Sequence, residues 1–325
     1  MEVLTLTTNE NAPFMIQQQA ALEERGVSFS TLSVGGEIGN GTSRSPADYL
    51  RFFPRVRREA REGYDLIHAH YGLTAPMALA GREVPVVLSL WGSDVHGPVA
   101  PVSRACVPFC AAVVVMSPEM RRAIGTGEVI PDGVDLALFR PRDRNEARER
   151  VGWNGEGYDV LFPYHPSREV KDYPRAKRIA GVADALLDRP VRLRTVSGVD
   201  HDRIPDYMNA ADALLLTSHS EGSPNSVKEA MACNLPVVTT DVGDVRERLR
   251  GVSPSVVART DDELIDGLIG VLERSERSNG REAARTVSIE ATADAMHSVY
   301  ERVCGADAVG DGERSVDPAV RPDAR

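Results

Sequence analysis

The chain has 325 residues, 42% of them hydrophobic, which is material for two domains of ordinary size, each with its own core. A formal net charge of −10 excludes nucleic acid as the main partner. No apolar run approaches the roughly 18 residues of a membrane span, and the opening MEVLTLTTNE lacks the basic start of a signal peptide, so a cytoplasmic protein is expected.

Strand and helix patterns alternate along the chain. EVLTL (2–6) is rich in β-formers, and PFMIQQQAALEERG (13–26) places Phe14, Ile16, Ala20, Ala21 and Leu22 near helical spacing before stopping at Gly26. VSFSTLSV follows as a strand and GGEIGNGTSRS as a Gly/Ser-rich loop. SPADYLRFFPRVRREAREG predicts two helices broken at Pro54. YDLIHAH, VPVVLSLWG and AAVVVMS are three further buried strands. The segment 131–155, PDGVDLALFRPRDRNEARERVGWNG, is polar and turn-rich, and the domain boundary falls there.

A second series follows. It comprises a strand at 159–165, a helix at 173–188, a strand at 191–198, a short helix at 204–211, a strand at 212–218, a helix at 224–233 and a strand at 235–243. Helices at 261–275 and 288–303 close the chain. The tail 305–325 has no aromatic residue and little to bury, so disorder is expected. Short apolar strands between helices predict parallel sheets covered on both faces. The fold class is therefore α/β, with two Rossmann-like domains at 1–140 and 141–287 and a C-terminal helix at 288–304. Ligands of such folds bind at the carboxyl ends of the strands, here in the cleft between the domains. The four cysteines, Cys106, Cys110, Cys233 and Cys304, lack zinc-site spacing and are expected as small buried apolar residues.

The most informative stretch is SEGSPNSVKEAMACNLPVV (220–238). A loop at the carboxyl end of the strand DALLLTS leads into the helix SVKEAMA. Pro224 suits the first helical turn, where its missing N–H costs nothing. The N–H groups of Asn225, Ser226 and Val227 then point out of the helix start and form an anion site suited to a phosphate or diphosphate. Gly222 lets backbone approach a ligand closely. Glu221 lies before the turn and Glu229 about a turn and a half into the helix. Either glutamate alone reads most simply as a surface residue. Two hydroxyl-clasping carboxylates flanking an anion site suit a sugar on one side and a ribose on the other, hence a nucleotide-sugar.

These residues resemble the E-x7-E signature of retaining glycosyltransferases with the GT-B fold, family four. VIPDGVDLALFRP (129–141) is similar to the same family's inter-domain segment, which usually carries Asn where this chain has Asp132. YDLIHAHYG and NAADALLLTS also match. The resemblance covers roughly residues 60–250. It implies a metal-independent transfer of a sugar from a nucleoside diphosphate to an acceptor hydroxyl of a glycan, lipid or small molecule, with retained anomeric configuration and no cofactor. It also implies that the C-terminal helix packs back toward the first domain. By position, Glu229 binds the ribose hydroxyls, Glu221 contacts the donor sugar, and Gly222, Ser223, Pro224, Asn225 and Ser226 line the diphosphate. Arg168 and Lys171, in the loop HPSREVKDY, stabilise the leaving diphosphate as its charge grows. Lys171 is one of three lysines in the chain, with Lys177 and Lys228. The segment 196–204 is placed near the nucleobase.

The chain departs from the family pattern in places. TTNENAPF replaces the Gly-Gly loop after the first strand, and Trp91-Gly92-Ser93-Asp94 stands where many members have His-Gly. Trp91 either stacks on a sugar or fills the core mouth. His70, Trp91 and Asp94 are the acceptor-side candidates, Asp94 being the carboxylate to weigh as an inverting base. His68 and His70 are equally readable as structural. Asn234, where glycine is commoner, suits a left-handed helix cap. The arginine-rich 51–61 is either a solvated helix face or a peripheral contact with anionic lipid or polyphosphate acceptors. Two other readings stay open: a non-catalytic nucleotide-sugar-binding subunit, kept alive by the missing Gly-Gly loop, and a nucleotide-sugar epimerase.

Overall fold

The computed structural model describes residues 1–35, 45–81 and 84–310. Two parallel sheets organise them. The first contains β1 (Glu2–Thr7), β2 (Ser28–Ser33), β3 (Leu66–His70), β4 (Val86–Leu90), β5 (Ala112–Val115) and β6 (Glu128–Val129), in the order β2-β1-β3-β4-β5-β6. The second contains β7 (Tyr158–Phe162), β8 (Val191–Thr195), β9 (Ala213–Leu216), β10 (Val237–Thr240) and β11 (Val256–Ala258), in the order β11-β10-β9-β7-β8. Residues of β3, β4, β7, β9 and β10 are buried on both faces, which is why these strands read as continuous apolar runs.

Each sheet reverses its strand order once, between β1 and β3 in the first and between β7 and β9 in the second. The loops at such a reversal splay apart and leave a crevice. The sequence-predicted site segments follow β7 and β9, at the second reversal.

The chain crosses between the domains twice. The segment after β6 and the segment before the last helix pair with each other: the Val134 N–H donates to the Val287 carbonyl at 2.9 Å, and the Ile289 N–H donates to the Val134 carbonyl at 3.1 Å. The last helix, Ile289–Gly310, then packs on the first domain. Ala293, Met296, Tyr300 and Val303 repeat at helical spacing and join the core under the first sheet. The Tyr300 hydroxyl meets His68 Nδ1 at 2.6 Å, and His68 Nε2 meets Ser89 Oγ at 2.7 Å.

Several expectations need correction. Pro54 does not break a helix; a single helix runs Pro46–Glu59. Pro54 is exposed, so water can satisfy the carbonyl that its missing N–H leaves open. The segment 131–155 is not all turn, because Arg144–Val151 is helical, capped by the Asp143 side chain and ended by Gly152 at φ 69°. The last helix continues through Gly310, so residues 305–310 are not the start of a disordered tail, and 311–325 lie outside the described residues. Most of the predicted Gly/Ser loop, 36–44, lies outside them too. Only Cys106 and Cys233 are buried; Cys110 and Cys304 are half-buried. Asn234 takes a left-handed φ of 55°. Among the described residues no helix is long and apolar enough to cross a membrane.

Tyr300→Phe should strand a buried histidine nitrogen. The expected loss is about 1–3 kcal/mol of unfolding free energy, read by urea denaturation. An unchanged midpoint would show that this bond does not anchor the last helix.

Candidate active site

The two loops of the second reversal are tied together. The His219 N–H donates to the Val170 carbonyl at 2.9 Å, and Thr217 Oγ1 donates to the Lys171 carbonyl at 2.9 Å. Lys171, from the single helical turn Glu169–Lys171, is buried and ion-paired with Glu221. Ser218 Oγ adds a 2.7 Å bond to the same Glu221 oxygen. The Lys171 ammonium also lies 3.9 Å from the centroid of the Tyr164 ring. Burial lowers the Lys171 pKa, and Glu221 opposes that shift. Glu221 is therefore not a free carboxylate awaiting a sugar. Arg168 is exposed and has no carboxylate partner among the described residues; its guanidinium carbon lies 5.8 Å from the Tyr164 ring centroid.

The site helix spans Asn225–Ala232, with Pro224 as its cap rather than its first turn. Val227 does not offer a free amide, since its N–H returns to the Pro224 carbonyl at 3.1 Å. The open amides of the helix start are those of Asn225 and Ser226. The Ser226 hydroxyl is hydrogen-bonded to the Tyr164 hydroxyl. The Ser223 hydroxyl donates to Asp244 at 2.8 Å, and Arg248 donates to the same oxygen at 2.8 Å, so this side chain braces the loop. Gly222 approaches the other domain rather than a ligand: a Cβ there would lie 3.1 Å from the Trp91 carbonyl oxygen and 3.2 Å from Met120 Sδ. Glu229 is half-buried, and desolvation pushes its pKa up to about 7. Its Oε1 lies 3.9 Å from His201 Nε2.

Across the gap, His70 Nδ1 is buried without a hydrogen-bond partner among the described residues, and burial lowers the His70 pKa to about 4. Trp91 stacks on His70 with centroids 5.7 Å apart and 16° between planes, and Phe14 lies 4.8 Å from Trp91. Asp94 is fully buried. Its carboxylate accepts from the amides of Trp91 (2.8 Å), Gly92 (2.9 Å) and Gly72 (3.0 Å). It fixes the turn after β4, and its full burial keeps it from an acceptor hydroxyl, so it leaves the list of acceptor-side groups. His68 is held on both ring nitrogens and is structural.

A cavity of about 300 Å³ lies between the domains. Arg168, Asn225, Ser226 and Glu229 line it together with Phe14 and Gln17 of the first domain and Val134 and Phe139 of the crossing. His70 and Trp91 line an adjoining space of about 200 Å³ that shares Phe14. Sequence reasoning missed Tyr164, Lys228, Phe14 and Gln17. Lys228, one of the three lysines, was the one with a legible signal, because it stands inside the signature helix.

Two facing parallel α/β domains, with an anion-accepting helix start on one wall of the cleft and a half-buried carboxyl further along that helix, are the architecture of GT-B glycosyltransferases. The family models agree: residues 173–274 match glycosyl transferases group 1, and residues 17–138 match glycosyltransferase family 4. The chain belongs to this family. A Bacillus subtilis glycosyltransferase named for teichuronic acid biosynthesis, TuaC, is 30% identical over 56% of this chain and 54% of its own length. The chain thus spans about half the length of that relative. A D-inositol 3-phosphate glycosyltransferase of Geodermatophilus obscurus is 25% identical over 92% of this chain and 80% of that one. Among solved structures, sucrose-phosphate synthase of Thermosynechococcus elongatus superposes with a TM-score of 0.78 at 18% identity, covering 94% of this chain and all of that one. Anabaena HepE, solved with UDP and glucose, gives 0.62 at 17% identity, covering 95% and 99%.

The raised Glu229 pKa sets a pH dependence of stability. Folding favours the protonated carboxyl, so its contribution is fully present below the ordinary carboxyl pKa of 4.5 and is lost as pH rises toward about 7. Glu229→Gln lacks this loss. Relative to that variant, the wild type should become less stable by on the order of 3 kcal/mol between pH 4.5 and 7. Parallel urea curves for the two proteins across that range would refute the assignment.

Proposed function

We propose that the protein transfers a sugar from a nucleoside diphosphate donor to an acceptor hydroxyl of a glycan, lipid or small molecule. The transfer keeps the anomeric configuration and needs no divalent metal. One observation carries this reading: a single cleft holds an open helix start at Asn225 and Ser226, an unpaired guanidinium at Arg168 and a half-buried carboxyl at Glu229.

The donor diphosphate sits against the two open amides, where the helix dipole favours negative charge. Arg168 offers two parallel N–H donors to it. Lys171 is held by Glu221 in the free protein. A bound diphosphate competes for that ammonium, and the sugar hydroxyls then take up the Glu221 oxygens, so each charge exchanges partners and none is left bare. Negative charge grows on the leaving diphosphate in the transition state, and fixed cations aimed at it lower the barrier. This supplies the work a divalent ion does elsewhere. Glu229 accepts from the ribose, remote from the breaking bond. The retaining outcome is favoured by Asp94, which is fully buried in the turn that it braces and is out of reach of an acceptor as an inverting base. The names of the relatives point to different acceptors, so the acceptor class stays broad.

A thermal-shift panel of UDP-, GDP- and ADP-sugars tests the donor class; a donor at a hundred times its Kd should stabilise by about 2.7 kcal/mol. Turnover should survive EDTA, and NMR of the product should show the donor's anomeric configuration. Glu229→Ala should mainly raise the donor KM, because its contact is similar in ground and transition states. Glu221→Ala should mainly lower kcat, because it loses the sugar contact and leaves Lys171 buried without its carboxylate. Each effect should be roughly ten- to a hundred-fold. Identical kinetic defects in the two variants would sink this division of labour.

A further inference from the structure

Lys228 stands in the site helix just before Glu229 and is 1% exposed, at a position where a helix packed on a sheet ordinarily buries an apolar side chain. Burial lowers its pKa, and the carboxylates of Asp132 and Asp244 oppose that shift. Its Nζ donates to the main-chain carbonyl of Asp132 at 2.7 Å. Three positions earlier, on the same face of the helix, Asn225 Nδ2 donates to the Asp132 carboxylate at 3.4 Å. Two side chains from the start of the site helix thus grip one residue of the first inter-domain crossing, one at its carbonyl and one at its carboxylate.

Asp132 does not move alone. A Cβ on the adjacent Gly133 would come 2.5 Å from Ile289 Cα and 2.6 Å from Thr292 Oγ1, so no side chain fits between this crossing and the last helix. Val134 is hydrogen-bonded on both sides to the second crossing. The two crossings are one mechanical unit, and its Val134 and Phe139 form a wall of the cleft.

We propose that Lys228 is a positioning residue. Acting through Asp132, it fixes the site helix to the double crossing and so sets the separation at which Asn225 and Glu229 face Phe14 and Gln17 of the first domain. This rests on the reading of the cleft as a nucleotide-sugar site. A buried ammonium is a costly way to fill a core position unless its partners are held in place. An apolar residue would fill the space without orienting the Asp132 carbonyl.

Lys228→Met, Asp132→Asn and the double variant test the tie. Methionine keeps the unbranched stem but leaves the Asp132 carbonyl without its ammonium donor. In the unliganded Lys228→Met protein, hydrogen exchange at the Val134 and Ile289 amides should quicken by about ten-fold. Its donor KM should rise about ten-fold, with kcat within about two-fold of wild type. Asp132→Asn keeps the main-chain carbonyl that Lys228 holds, so Lys228→Met should quicken exchange and raise KM by about the same ten-fold in that background, a change that space-filling by methionine would not give. Unchanged exchange in Lys228→Met, or a fall in kcat with KM unmoved, would overturn the proposal. Absence of donor stabilisation and turnover in the wild type would instead overturn the reading of the cleft, while exchange in the unliganded variants still judges the tie.

Discussion

The ion pair between Lys171 and Glu221 is the interaction on which the site depends. An ammonium taken out of water costs several kcal/mol unless a carboxylate and further polar groups stand beside it. Lys171 reaches that condition only where the loop after β7 meets the loop after β9. The pair therefore holds together the two loops that the strand reversal would otherwise splay. Thr217 and His219 repeat the tie through backbone groups. With Lys171 committed, Arg168 is left as the unpaired cation of this loop, and the site helix opens its first amides toward it.

Contact between the domains rests on places where a side chain cannot fit. Gly222 brings the signature loop against the Trp91 carbonyl, and Gly133 brings the first crossing against the last helix. A Cβ at either position would force the domains apart by tenths of an ångström or more. Trp91, packed between His70 and Phe14, gives the first domain a rigid face at that contact. Asp94 holds the turn that presents it. A residue read from sequence as an acceptor-side carboxylate thus works one step removed, as the brace of the neighbouring wall.

The two-sheet architecture was legible because buried parallel strands write themselves as short apolar runs between amphipathic helices. What misled were elements held by polar contacts. Arg144–Val151 has little apolar content and reads as turn, yet Arg144 and Arg148 anchor it on Asp212 at 2.6 and 2.7 Å. Its Asp143 cap and Gly152 stop were visible but outweighed by the charge of the run. The helix through Pro54 persists because the lost bond faces water. In the site, the loops and both glutamates were placed by spacing, since a signature fixes positions along one segment. Pairing across distant segments leaves no such trace. Nothing in the spacing of Glu221 tells that Lys171, fifty residues earlier, already holds it, or that Lys228 reaches Asp132.

Charge arithmetic then connects binding with chemistry. On the reading proposed above, the cleft receives a diphosphate carrying two negative charges. Lys228 is engaged by Asp132, and Lys171 by Glu221. Arg168 and the helix dipole, equivalent to roughly half a charge, do not balance a dianion by themselves. The deficit is met if Lys171 turns to the diphosphate, which frees Glu221 for hydroxyl groups just as a sugar arrives beside it. The partner exchange is thus favoured by a complete donor, which offers both a phosphate for the ammonium and hydroxyls for the carboxylate. A bare nucleoside diphosphate takes the first and strands the second. On that reading, the pair that fixes the loops in the free protein favours a donor, whose hydroxyls occupy the Glu221 oxygens, over a diphosphate that leaves them unmatched.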